Sequence, residues 1–142
     1  MSDDPIARSE AYLDRLFGDG MGRRHSRFLD RLGHEGTANA LHRYHAIEAD
    51  ETWISIEENY LIGLCVLCAQ GRWGPAGMFA RTLAHRGVPS PRILEAVARL
   101  EMWIGGIGAA EAVGRIRSAL HDYERDGLDS MRGWFPEERT DG

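Results

Sequence analysis

The chain has 142 residues, 43% of them apolar and 27% charged, with a formal net charge of −5. This length fits one domain that can bury a core without disulfides or metals. A mildly acidic chain without a clustered basic excess argues against nucleic-acid binding, and no apolar run approaches the length of a membrane span. The start, "MSDDPIARSEAYL", has no basic segment followed by an apolar one, so no signal peptide is expected. A cytoplasmic location and reduced cysteines follow as expectations.

The elements read as helices throughout. Asp4-Pro5 opens the first, with Pro at the first helical position. Ala11, Leu13, Leu16 and Phe17 form its apolar stripe, and "GDG" (18–20) ends it. "GRRHSR" (22–27) reads as one basic face of a second, short segment carrying Phe28, Leu29 and Leu32. A third helix runs from Thr37 to about Ala49, with Leu41, Tyr44 and Ile47 spaced three apart. "EADETWIS" is a polar connector with an acidic run.

The fourth helix, about Ile56 to Gln70, is apolar on all sides from Tyr60 to Ala69 and is expected to be buried all round. Gly71 ends it. A fifth follows from about Pro75 to Arg86, closed by Gly87. In "GVPSPRILEAV", Ser90 reads as an N-cap and Pro91 as the first helical residue; Ile93, Leu94, Val97 and Leu100 make the buried stripe of a sixth helix. "WIGGIGAAEAV" interrupts with small residues, and a last helix covers about Gly108 to Arg125. The expected fold is a single-domain, all-α bundle of about six to seven helices. Its core spans about 5–126, and its tail, 127–142, is partly irregular. Trp134 and Phe135 are expected to pin that tail, with its final residues disordered.

Cys65 and Cys68 are the only cysteines and form a C-x-x-C. Reactive pairs of this spacing usually sit at a helix N-terminus, where free N–H groups lower the thiol pKa. Cys65 lies more than two turns into its helix among Leu64, Val66 and Leu67, a setting that raises the pKa. Packing is favoured over redox chemistry. A zinc site would need two further ligands at suitable spacing, and none stands near. His42 and His45 are i, i+3 and could hold a metal with Glu48, but are expected on the surface, so no metal site is predicted.

The stretch "NYLIGLCVLCAQGRWGPAGMFARTLAHRGVPSPRILEAVARLEMWIGGIGAAEAVGRI" resembles the carboxymuconolactone decarboxylase family, which includes the alkylhydroperoxidase D-like proteins. The likeness lies in the order of an apolar helix ending "AQGRW", a segment "RTLAHRGVPSPRILEAV" and the Gly/Ala-rich turn "MWIGGIGAAEAV". "LFGDGMGRR" near the start is similar to the decarboxylase branch. The resemblance covers about Leu16 to Leu120 and implies an all-α bundle that assembles as a trimer or hexamer, with its pocket near subunit contacts. The family's peroxidase branch carries a glutamate, a C-x-x-C and a histidine. Counted without gaps, these positions fall on Tyr60, on Arg72 and Pro75, and on Phe79. A shift of two residues places Glu58 at the glutamate position. A second decarboxylase-branch histidine falls on Glu111, and a tyrosine on Trp103.

The family's dithiol and histidine are therefore absent, which disfavours a thiol peroxidase. The replacement set implies a cofactor-free enzyme using acid/base chemistry on a small cyclic or polycyclic carbonyl compound, by decarboxylation, isomerisation or cyclisation, possible in a biosynthetic pathway. In it, Glu58, Tyr60 and Glu111 are the candidate catalytic residues, with Glu57 as a further carboxylate. Arg72, Trp73, Met78, Phe79 and Trp103 are the candidate substrate-binding residues, with Arg81 nearby. The alternative is a catalytically silent oligomer that binds a ligand or acts as a scaffold. Each residue also has a plainer role: core packing for Met78, Phe79 and Trp103, solvation for Arg72 and Arg81, and helix-dipole support for Glu57 and Glu58.

Overall fold

The computed structural model describes residues 4–51 and 53–134, with the side chains of 133 and 134 left aside. The pinning role expected of Trp134 and Phe135, and the state of the final residues, lie outside what it describes. Among the described residues there are seven α-helices and no strand. They fall into two compact units, one with the first three helices and one, Ile54–Met131, with the other four.

In the first unit, α1 (Pro5–Phe17) starts as its sequence dictates: the Asp4 carboxylate accepts from the Ile6 N–H at 3.1 Å. It ends at Gly18, whose φ of 106° suits glycine. Its buried face is Ser9, Tyr12, Leu13, Leu16 and Phe17, while Ala11 is exposed. Helix α2 (Met21–Arg31) is tied to α1 at two points. The Asp14 carboxylate accepts from the Gly22 N–H at 2.7 Å, and Ser26 donates to Glu10 at 2.7 Å. Of the expected stripe only Leu29 is buried; Phe28 and Leu32 are exposed.

Helix α3 (Glu35–Ala49) is capped by the His34 ring, whose Nδ1 accepts from the Thr37 N–H at 3.0 Å. It packs on α1 and α2 through Ala38, His42 and Ala46. The line of Leu41, Tyr44 and Ile47 faces outward, with Tyr44 56% and Ile47 70% exposed. The reason is steric. Ala38 and Ala46, eight residues apart on either side of His42, let α3 approach α1 closely, and the larger apolar residues on the other face would hold it away. Arg8 of α1 fixes the end of α3 by donating to the Ala46 carbonyl at 3.2 Å and to Asp50 at 2.7 Å.

In the second unit, α4 (Ile56–Ala69) begins with a capping box. Ser55 Oγ accepts from the Glu58 N–H at 3.0 Å, and the Glu58 carboxylate accepts from the Ser55 N–H at 3.4 Å. Such a cap contributes about 1 kcal/mol. Ile56, Tyr60, Leu64 and Cys68, four apart, are the buried line of α4. The helix is not buried all round, since Ile62 and Val66 are exposed. Burial follows the neighbours available, and α4 has α5 (Trp73–His85) and α6 (Ser90–Ala98) on one side only.

Helix α5 also packs on α7 (Glu101–Asp126). Arg81 pairs with Asp122 at 3.2 Å, and the His85 ring lies 3.0 Å from the Tyr123 hydroxyl. Ser90 is the first residue of α6 rather than its cap, with Pro89 at the boundary. The Gly/Ala-rich stretch does interrupt the helix: Gly105, with φ 80° and ψ 165°, is non-helical and separates a short helical stretch that begins at Glu101 from the long one that ends at Asp126, the two together being α7. A short 3-10 helix, Gly127–Trp134, follows.

Candidate functional site

The candidate residues of the second unit occupy three different settings. Tyr60 is buried and its ring lies 4.6 Å from that of Phe79, a stacking distance. Gly63 allows this contact, because a Cβ there would stand 2.6 Å from the Phe79 ring. Met78 is buried one residue before Phe79. Tyr60 and Met78 are packed core, and Phe79 is half-buried against them.

Trp73, Arg115 and Glu111 form a second group. The Arg115 guanidinium lies 5.8 Å from the centre of the half-buried Trp73 ring, within cation–π range. Glu111 stands one turn before Arg115 on α7, 3.8 Å away and more than half exposed. Arg72, at the start of α5, is exposed.

The third setting is the kinked start of α7. Met102, Trp103 and Ile107 are 85%, 78% and 90% exposed. Two open grooves meet here, sharing Ala98 and Glu101. One, of about 400 Å³, is walled by Met102 and Trp103; the other, of about 420 Å³, runs along Gly106, Ala110 and Gly114 to Arg117. Tyr60 and Phe79 line neither groove.

The carboxylates do not have the burial expected of a general acid with a raised pKa. Glu58 is exposed and closes the capping box. Glu57 is held below the usual carboxylate value, first by backbone hydrogen bonding at the start of α4 and also by Arg86, which donates to it at 2.8 Å. A carboxylate held ionised in this way is a poor proton donor at neutral pH.

Cys65 and Cys68 are free. Burial raises the Cys65 pKa, and burial followed by the neighbouring Cys65 pushes Cys68 up to about 11. At that value only about one Cys68 thiol in a few thousand is ionised near pH 7.5. Both cysteines are therefore expected to resist iodoacetamide in the native protein and to react once denaturant is added. Rapid labelling of the native protein would contradict the packing described here.

Sequence reasoning missed a histidine cluster in the first unit. His25 and His42 are only 5% and 3% exposed and His45 is half-buried, although His42 and His45 were expected on the surface. The signal was present in the register, since His42 lies midway between Ala38 and Ala46 on the small-residue face of α3. Among the described residues no group of three or more His, Cys, Asp or Glu side chains has the geometry to hold a metal. No protein-family model, no curated protein and no solved structure matches this chain.

Proposed function

We propose that this chain is a divergent member of the carboxymuconolactone decarboxylase family, working as a homo-oligomer that binds a small cyclic or polycyclic carbonyl compound beside its subunit contact. The observation that carries this reading is the exposed apolar surface of Met102, Trp103 and Ile107 around the Gly105 kink. Three large apolar side chains open to water on adjoining turns mark an interaction surface. The adjoining grooves carry both signs of charge, with Glu95 and Glu101 beside Arg99 and Arg117. Both signs of charge at the surface allow it to meet a second copy of the chain in a closed oligomer. The family reading rests on the sequence resemblance alone, the order of "AQGRW", "RTLAHRGVPSPRILEAV" and "MWIGGIGAAEAV". Binding ranks ahead of catalysis because Glu58 is engaged in a cap and Glu57 is held ionised by its partners.

The second reading is the cofactor-free acid/base enzyme. Its support is the Trp73–Arg115–Glu111 group, in which a cation, a carboxylate and an aromatic face lie together. The thiol peroxidase reading stands last, because both thiols have raised pKa values.

Native mass spectrometry tests the proposal. The wild-type protein is expected as a trimer or hexamer, and Trp103→Glu as smaller species with unchanged helix content. A monomeric wild type at micromolar concentration would overturn the oligomer and the binding site that depends on it. Ligand turnover abolished by Glu111→Gln, with binding retained, would decide for the enzyme.

A further inference from the structure

The first unit encloses imidazole rings in a place where apolar side chains are usual. His25 of α2 lies edge-on to His45 of α3, with ring centres 4.9 Å apart, and to His42 of α3 at 5.8 Å. His42 Nδ1 is 3.1 Å from Ser9 Oγ on α1. His45 Nδ1 is buried with no hydrogen-bond partner among the described residues. From α1 the cluster also meets Tyr12, whose ring is 6.4 Å from that of His45. From α3 it meets Tyr44 at 5.9 Å, with Glu48 acting on the Tyr44 hydroxyl. The other charged groups nearby have defined roles. Arg8 holds the end of α3, Glu10 accepts from Ser26, and Asp14 accepts from the Gly22 N–H. Arg24 is the neighbouring cation on α2.

We propose that this cluster is a proton-triggered latch: neutral imidazoles keep α3 docked on α1 and α2, and their protonation at mildly acidic pH releases α3. A charge on any ring would be buried within one ring's width of another that also takes up protons, and burial of unpaired charge is costly. The released helix has another apolar face to offer, since Leu41, Tyr44 and Ile47 already point outward. This inference uses none of the residues that carry the proposed function.

The direction of the pH effect follows from linkage. Burial, then His45 and His42, lower the His25 pKa from 6.5 to about 4, and burial followed by His42 lowers that of His45. A released α3 returns these rings to ordinary values. Between about pH 6.5 and 4 the released form therefore binds more protons, and docking weakens as pH falls through that window. His25 alone shifts the docking equilibrium about 20-fold toward release between pH 7 and about pH 5.

Hydrogen exchange read by mass spectrometry on the full chain, corrected for intrinsic rates, tests the latch at about pH 7.5 and about pH 5. Peptides of α1–α3 are expected to lose at least tenfold protection at the lower pH while α4–α7 keep theirs, and His25→Gln with His45→Gln should reduce that loss. Unchanged protection of α1–α3, or an equal loss throughout the chain, would overturn the proposal. Should the double variant fail to fold, NMR titration of the wild-type rings decides: a His25 midpoint near 6.5 with α1–α3 still protected refutes the latch.

Discussion

Gly22→Ala is expected to destabilise the protein by about 3 kcal/mol or more. A Cβ at Gly22 would stand 2.6 Å from the carbonyl carbon of Glu10 and closer still to its oxygen. Both obstacles are backbone, so no side chain can rotate away. α2 would have to move off α1, breaking the Asp14 to Gly22 N–H bond and the Ser26–Glu10 bond beside it. Urea unfolding monitored by circular dichroism measures the effect. Gly74→Ala is the control, because a Cβ at Gly74 meets nothing within 4 Å, and its midpoint should stay near that of the wild type. If Gly22→Ala unfolds at the wild-type midpoint, the two helices do not approach as closely as described.

Leu64→Ala should cost about 2–5 kcal/mol, whereas Ile62→Ala should change the stability of an isolated subunit by no more than about 0.5 kcal/mol. Leu64 is fully buried and Ile62 is 55% exposed, although they stand two residues apart on a helix whose sequence is apolar on every side. Deleting the Leu64 side chain leaves a void in a packed core, and deleting that of Ile62 removes atoms already in contact with water. Paired denaturation curves separate the cases. Equal losses for both variants in a monomeric sample would show that α4 buries a different face.

The two outcomes bear on different properties. Gly22 tests how closely the helices of the first unit approach. Leu64 tests which side of α4 belongs to the core of the second, and so which side, with Ile62 and Val66, is left open to water.

Much of the secondary structure was legible because its causes are local. Asp4-Pro5 starts α1 through a side-chain cap and a preset φ. Gly71 and Gly87 follow the ends of α4 and α5 with φ of 69° and 88°, a conformation glycine adopts without strain. The capping box at Ser55 and Glu58 was also written in the sequence, as Ser-x-x-Glu before an apolar run.

The candidate site was less legible. Trp103 was expected to line an apolar pocket and stands open to water beside the Gly105 kink, whereas Tyr60 and Phe79 close on each other. Ungapped counting assigns positions along a chain, but a pocket depends on which way each helix is turned.

What the sequence determined by itself is the helical class, several helix ends and the apolar setting of a C-x-x-C deep in a helix. Each depends on residues within a turn or two of one another. Tertiary structure decided which face each helix buries. Helix α3 carries two faces that could serve, one with Leu41, Tyr44 and Ile47 and one with Ala38, His42 and Ala46. Hydrophobic periodicity favours the first. Close approach to α1 and the contact between His42 and Ser9 select the second, because packing rewards the face that fits its neighbour, and the neighbour lies more than thirty residues away in the chain.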